Sequence, residues 1–156
     1  MEAQKLELEG ERKLEITQFI VTKIGNEQYG IDIKYVDNIV RMMKITRVPK
    51  APHYYKGVIN LRGEIIPVMS LRLKFDLEEI PETKDFRIII IRTDKSNPVG
   101  VVVDSVSEVV SLDEEHMEKT TVDSNDSRMQ YIATIGKYED TLISIVNVEN
   151  LIAEKE

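Results

Sequence analysis

The chain has 156 residues, the length of one ordinary domain, and 42% of them are apolar, which is enough for a packed interior. The absence of cysteine excludes a disulfide framework, a thiol nucleophile and thiolate metal sites. A net charge of −7 argues against nucleic-acid binding and against adhesion to anionic lipid, and no apolar run approaches the roughly 18 residues of a membrane-spanning helix.

The amino-terminal residues are charged and lack the apolar core that a signal peptide needs. We predict a disordered charged tail over residues 1–14 and a single domain over residues 15–153. Because no export signal is present, we expect a cytoplasmic protein.

A predicted hairpin opens the domain. Residues 18–24 and 28–33 are rich in β-branched and aromatic side chains and flank the turn Gly25-Asn26. The apolar spacing then lengthens to i, i+3, i+6 and i+7, which predicts about two turns of helix carrying Ile33, Val36, Ile39 and Val40.

A second predicted hairpin follows, in which residues 58–61 and 64–70 flank Arg62-Gly63. Gly63 suits a turn that needs a positive φ, so Arg62 is expected at the hairpin tip. Pro67 cannot donate a ladder hydrogen bond, which predicts an edge or bulge position for its strand.

The second half of the domain repeats this order at an offset of 70 residues, which places Gly30 over Gly100, and about seven extra residues precede the later strand pair. Residues 86–92 and 99–103 form the matching hairpin, and residues 131–135 and 141–146 form the later strand pair. The same helical spacing recurs in Val103, Val106, Val109 and Val110. A capping box at Ser111-x-x-Glu114 predicts a short acidic helix, and a terminal helix is expected at Leu151-Ile152.

The repeat predicts two copies of one small unit, each with four or five short strands. A unit of roughly 60 residues has a meagre core alone, so the two copies are expected to pack together as a pair of small β-barrels. Chance alignment of apolar residues is the alternative explanation.

Catalytic and metal-binding patterns are missing from the sequence. The two histidines, His53 and His116, are too few for a zinc site, and the acids around His116 fit the first turn of a capped helix. Glycine-rich phosphate loops and a nucleophile elbow are absent. Asp104 is the one carboxylate within an apolar run, and a strand-to-helix cap accounts for it. We therefore predict a protein that binds other proteins and has no catalytic residues, metal or cofactor.

A basic segment stands out against the acidic average. Residues 38–63 contain no Asp or Glu, and their +6 set against the net −7 leaves −13 for the rest of the chain. The six cations are Arg41, Lys44, Arg47, Lys50, Lys56 and Arg62. Such polarity predicts an acidic partner that meets a basic face; the alternative is that the cations are scattered and merely solvated.

The string GVINLRGEIIPV, which begins at Gly57 and is followed by Leu71-Arg72, resembles the signature of the CheW family of chemotaxis coupling proteins. The strings EQYGIDI, from Glu27, and VGVVVD, from Val99, resemble that family too, so the resemblance covers nearly all of residues 15–152. It implies a mainly β fold of two intertwined five-stranded barrels of the Src-homology type with a few short helices. The subdomains would span roughly residues 15–82 and 83–153, with strands exchanged between them.

The same resemblance implies a non-catalytic adaptor that joins the cytoplasmic tip of chemoreceptors to the regulatory domain of the histidine kinase CheA, within membrane-associated receptor arrays. The receptor's helical hairpin would lie in a groove between the barrels. The residues implied in receptor binding are Val36, Ile39, Val40, Gly57, Asn60 and Arg62. Many family members have a glutamate where this chain has Asn38, so a charged contact there is in doubt.

The resemblance assigns no kinase-binding residue, and exposed barrel edges are the expected contact. Two other functions stay open at this point. One is a small-barrel nucleic-acid-binding module, which the acidic net charge disfavours. The other is an enzyme with a carboxylate pair hidden between the barrels.

Overall fold

The computed structural model describes residues 15–119 and 126–153. The predicted tail at residues 1–14 lies outside these ranges. The described part is mainly β, which confirms the predicted fold class. Its strands are β1 (Ile16–Ile24), β2 (Glu27–Asp32), β3 (Val36–Arg41), β4 (Tyr55–Leu61), β5 (Glu64–Ser70), β6 (Arg87–Thr93), β7 (Ser96–Val103), β8 (Ser105–Asp113), β9 (Met117–Lys119), β10 (Ile132–Tyr138) and β11 (Thr141–Val146). Two short helices, α1 (Leu71–Lys74) and α2 (Val148–Ile152), accompany single 3-10 turns at Ile33–Tyr35, Glu114–His116 and Ser127–Tyr131.

The strands form two sheets that draw on both halves of the chain. A six-stranded sheet has the order β8-β1-β2-β11-β10-β9, and a five-stranded sheet has the order β3-β6-β7-β5-β4. Each sheet contains one parallel strand pair, and the two pairs are equivalent. Val68 of β5 lies opposite Gly100 of β7 in one sheet, and Ile145 of β11 lies opposite Gly30 of β2 in the other. Within the described residues neither hydrogen-bonded ladder closes into a ring. The division into subdomains at residues 82 and 83 stays a prediction.

The two predicted helical segments are wrong, because both are strands. Val36 and Ile39 lie in β3, and Val106 and Val109 lie in β8. Each strand has a register shift, between Val36 and Asn38 in β3 and opposite Val21 and Thr22 in β8. A bulge inserts one extra residue, so side chains three apart can share a face and imitate helical spacing.

Smaller predictions were corrected in the same way. The acidic helix is a 3-10 turn whose cap is Asp113 rather than Ser111, since the Asp113 carboxylate accepts from the His116 amide. β5 lies inside its sheet rather than at an edge, but Pro67 precedes the stretch that pairs with β7, so its missing amide hydrogen costs no ladder bond there. The predicted terminal helix is confirmed by α2.

The core has three parts. A central cluster takes residues from both sheets and both helices; its fully buried members include Ile31, Met69, Leu71, Ile89, Ile91, Val101 and Leu151. A five-strand cluster consists of Ile59, Ile66, Val68, Phe86, Ile88, Ile90 and Val102. A six-strand cluster consists of Phe19, Val21, Val110, Leu112, Ile143 and Ile145. Because the central cluster joins the sheets, it fixes the surfaces of both relative to each other.

Across residues 15–119 and 126–153, the longest helix has five residues, so none could cross a membrane.

Candidate functional site

All six sequence-predicted binding residues belong to the five-stranded sheet or its hairpin. Three lie in β3 (Val36, Ile39 and Val40), two lie in β4 (Gly57 and Asn60), and Arg62 lies in the turn between β4 and β5. Since β3 and β4 are the two edges of this sheet, the structure divides the residues between its margins.

β3 contributes apolar side chains to two parts of the core. Val36 and Ile39 are half-buried against the central cluster, whereas Val40 packs against the five-strand cluster. Val106 of β8 and Ile135 of β10 are also half-buried against the central cluster. No local sequence pattern predicts this position for Ile135, because the contact depends on how the two sheets pack.

An arginine brings the start of β3 and the β4–β5 hairpin to one end of the sheet. The Nη2 atom of Arg92, in β6, lies 3.5 Å from a carboxylate oxygen of Asp37 in β3 and 3.5 Å from one of Glu64 in β5. All three side chains are about half exposed, so each pair adds little stability, of order 0–1 kcal/mol. The bridge matters for position, because Val36 adjoins Asp37 and Arg62 lies two residues before Glu64 in the sequence.

The turn itself is built to present Arg62. Arg62 has φ 55° and Gly63 has φ 85°, as a tight primed hairpin turn requires. The Asn60 side-chain oxygen accepts a hydrogen bond of 2.9 Å from the Gly63 amide. Arg62 is exposed at the tip, as the sequence predicts, while Asn60 holds the turn in shape.

Gly57 is buried and carries a close backbone contact. A Cβ atom at this position would lie 2.1 Å from the Thr46 carbonyl oxygen, and φ is 141°, which side-chain-bearing residues rarely adopt. The space is needed because Thr46 forms a two-hydrogen-bond bridge with Val58, at 2.8 Å each. Gly57 therefore lets the segment after β3 cover the edge of β4.

An open cleft lies beside the hairpin. The parallel pairing of β5 with β7 begins only at Val68, so the strands diverge before it and leave a cleft of about 670 Å³. Its apolar lining includes Ile65, Pro67, Val99 and Ile152, and Ile65 is 61% exposed. The rest of the lining is mostly polar or charged and includes Glu64, Lys95 and Glu149. The cleft beside the cationic turn therefore has the mixed character of protein-binding surfaces.

The cations of the basic segment are mostly unpaired. Five of them, Arg41, Lys44, Arg47, Lys50 and Arg62, are exposed and form no ion pair with any residue in the described part of the chain. We call these five residues the basic strip. The sixth cation, Lys56, binds Glu79 at 2.9 Å.

Asp104 forms a polar clasp between the two sheets instead of capping a helix. Its carboxylate accepts from the Arg72 guanidinium, with one Nε–Oδ1 distance of 2.9 Å, and from the Gly25 amide at 2.8 Å. Partial burial by itself would raise the Asp104 pKa, but the hydrogen bonds from Arg72 and Gly25 outweigh it and lower the pKa below its ordinary value. A carboxylate held in its ionised form in this way is a structural group.

Two further carboxylates meet near the start of β2, where Arg128 binds both Glu27 and Asp126. A hydrogen bond from Tyr29, followed by one from Arg128, lowers the pKa of Glu27. A hydrogen bond from Arg128 lowers the pKa of Asp126. Both groups are therefore held ionised, which is the opposite of what a general acid requires.

The histidines lie apart. His53 packs edge-on against Tyr54, and His116 Nδ1 lies 2.6 Å from Asp113. Over residues 15–119 and 126–153, no three His, Asp or Glu side chains come together as metal ligands.

Comparison with known proteins matches this sequence and this fold to one family. The sequence matches the CheW-like domain over residues 18–156. It is 37% identical to a chemotaxis protein CheW from Helicobacter pylori over 141 residues, which cover 88% of this chain and 82% of that protein. It is 32% identical to a chemotaxis protein CheW from Klebsiella aerogenes over 139 residues, which cover 89% of this chain and 83% of that protein.

A solved structure shares the architecture. The crystal structure of the scaffolding protein TtCheW from Thermoanaerobacter tengcongensis superposes with a TM-score of 0.79 at 33% identity. The match covers 90% of this chain and 94% of that one.

Proposed function

Because the chain belongs to the CheW-like domain family and is a chemotaxis scaffold protein, we propose that it couples chemoreceptors to the histidine kinase CheA. In this proposal the protein binds the cytoplasmic tip of a receptor on one surface and the regulatory domain of the kinase on another. It works by holding the two together, and its partners recruit it from the cytoplasm to membrane-associated arrays.

The observation that carries the proposal is the grouping around Arg92. This residue ties the start of β3 to the hairpin that exposes Arg62, so Val36 and Arg62 lie at the same end of the five-stranded sheet. Half-buried Val36 and Ile39 supply apolar surface there, and Arg62 supplies charge. A helical hairpin with an apolar stripe and flanking carboxylates fits such a surface.

Gly57 and Asn60 support this surface through contacts inside the chain. Gly57 is buried under Thr46, and Asn60 bonds the Gly63 amide, so we propose that both act by shaping the hairpin. Val40, which packs into the five-strand cluster, would act in the same indirect way.

The proposal is tested by calorimetric titration of the protein with two ligands, a receptor cytoplasmic hairpin and the CheA regulatory domain. We expect binding to each, and a ternary complex when both are present. Arg62→Glu should weaken receptor binding alone, and Lys137→Glu, an exposed cation on β10, is the matched control. Binding to neither ligand would contradict the proposed function.

A further inference from the structure

The basic strip is a set of five exposed cations that form no ion pair within the described part of the chain. Among the other cations, Arg72, Arg92 and Arg128 bind carboxylates of the chain. Lys23, Lys84 and Lys137 form no ion pair within the described ranges either, but they are dispersed along the sequence and do not share one acid-free segment. The five strip residues have no such partner among residues 15–119 and 126–153, and residues 38–63 contain no acid. Like charges kept together without internal neutralisation create a positive potential that attracts an anionic partner.

The Thr46–Val58 bridge brings several of these cations to one edge. Because the bridge is antiparallel, the chain before Thr46 runs alongside β4 toward the hairpin tip. Lys44 is therefore on the side of Asn60 and Arg62, while the Arg47 backbone lies against Gly57. Lys44, Arg47 and Arg62 thus follow the β4 edge of the five-stranded sheet, whereas Arg41 ends β3 at the opposite edge.

Glu79 indicates which anion this edge accepts. Its carboxylate binds Lys56 at 2.9 Å, in a groove of about 390 Å³ that Arg47 and His53 also line. The side-chain carboxylate of Glu79 is thus already bound at one end of the strip. The remaining cations offer the same chemistry to carboxylates from outside the chain.

Exposed apolar side chains flank the same cations. Val48, which lies between Arg47 and Lys50 in sequence, is 46% exposed, and Ile65, across from Asn60 in the hairpin, is 61% exposed. We infer that the basic strip binds an acidic polypeptide segment that carries apolar side chains between its carboxylates. The inference rests on the proposed adaptor function and adds the chemistry of the partner to it.

A polypeptide fits these features better than RNA. Single-stranded RNA is bound through exposed aromatic faces on which bases stack, whereas Tyr54 and Tyr55 beside the strip are half-buried and packed on each other with ring centroids 4.9 Å apart. The rest of the chain carries a net charge of −13, which would also repel a long polyanion that extends past the strip.

The test compares two triple charge reversals. Lys44→Glu, Arg47→Glu and Lys50→Glu together reverse three of the five strip cations, and Lys23→Glu, Lys84→Glu and Lys137→Glu together make the same change of net charge at exposed sites elsewhere. The probes are a synthetic peptide of alternating glutamate triplets and leucines, and random-sequence RNA of equal charge. Fluorescence anisotropy at several salt concentrations gives the affinities.

We expect the wild-type protein to bind the peptide more tightly than the RNA, with an affinity that falls as salt rises. The strip variant should lose about tenfold or more in peptide affinity, while the control variant should stay within about twofold of wild type. Equal losses in both variants, tighter RNA binding, or no peptide binding by the wild-type protein would each overturn the inference. Should the Glu variant fail to melt cooperatively, a triple Gln variant at the same positions replaces it. That variant should lose more peptide affinity than a triple Gln control at Lys23, Lys84 and Lys137.

The same variants separate this inference from the proposed function. When the strip variant binds the receptor hairpin and the kinase domain with wild-type affinity and salt dependence, the adaptor function stands and the strip inference fails. When the wild-type protein binds the acidic peptide through the strip but binds neither chemotaxis partner, the strip inference stands and the proposed function fails.

Discussion

Gly57 shows how a binding motif can contain a purely internal residue. Replacing Gly57 by Ala would place a methyl group 2.1 Å from the Thr46 carbonyl oxygen at a φ of 141°. We expect Gly57→Ala to lower the free energy of unfolding by about 2–4 kcal/mol, measured by urea denaturation, because either the Thr46–Val58 bridge or the β4 backbone must move.

Gly63→Ala is the control for this prediction. Gly63 also has a positive φ, of 85°, but an added Cβ would meet no atom within 4 Å, so only the backbone preference is lost, at about 1 kcal/mol. Wild-type stability of Gly57→Ala combined with lost receptor binding would instead make Gly57 a contact residue.

Arg62 is the opposite case, an exposed residue with no structural partner in the described part of the chain. Arg62→Glu should reduce receptor affinity about tenfold or more while the melting temperature stays within a degree or two, because no core contact is lost. Calorimetric titration and circular dichroism measure the two quantities. Unfolding of the variant would assign Arg62 a structural role.

Arg62 and Gly57 differ in how much of their role can be predicted from the sequence alone. Arg62 could be placed at a hairpin tip, because the adjacent glycine marks a turn that needs a positive φ. The role of Gly57 depends on Thr46, a residue from another segment, and no local pattern reports such a contact. Asn60 is intermediate, since its bond to Gly63 is local but depends on the turn type.

At the scale of elements, the Arg72–Asp104 clasp connects α1, the β7–β8 link and the β1–β2 turn. Both side chains are about 15% exposed, so removing one charge leaves the other buried without its counterion. Asp104→Asn should therefore reduce the free energy of unfolding at pH 7 by about 2–4 kcal/mol.

The pH dependence of this effect follows from the lowered pKa of Asp104. A carboxyl whose pKa is lower in the folded state stabilises the fold above its unfolded pKa, ordinarily 3.8, and loses that contribution as the pH falls through the folded pKa. The difference between wild type and Asp104→Asn should thus be full at pH 7 and shrink below about pH 4. Urea denaturation at both pH values measures it, and a difference that does not change with pH would contradict the ionic clasp.

Asp37→Asn provides the matched control, with the same chemical change in an ion pair whose members are about half exposed. Its expected cost is below about 1 kcal/mol, because solvent screens the pair. A similar cost for both variants would mean that burial does not decide the strength of these pairs.

The elements also show where sequence patterns mislead. The hairpins could be predicted, since turn residues and β-branched runs are local signals, as at Gly25-Asn26 and Arg62-Gly63. β3 and β8 could not, because one extra residue in each strand, Asp37 in β3 and Ser107 in β8, interrupts the alternation of apolar and polar side chains that marks a strand. Their β-branched content was the better guide to structure, as strands accommodate Val and Ile on a pleated surface.

At the scale of the whole molecule, the exchange of strands makes each sheet depend on both halves of the chain. β1 pairs with β8 and β2 with β11, while β6 pairs with β3 and β7 with β5. The central cluster then packs residues of both sheets and both helices together. The outer surfaces of the two sheets are therefore held at a fixed relative position, as a scaffold requires.

This dependence predicts that the halves cannot fold alone. A fragment of residues 15–82 leaves β1 and β2 without β8 and β11, and a fragment of residues 83–153 leaves β6 and β7 without β3 and β5. Each would expose unpaired strand edges and part of the central cluster. We expect neither fragment to show a cooperative urea transition by far-ultraviolet circular dichroism, and an equimolar mixture to recover the transition of the intact chain. A cooperative transition in either fragment alone would establish that half as an independent unit, and the coupling of the two surfaces would then depend only on how the units pack.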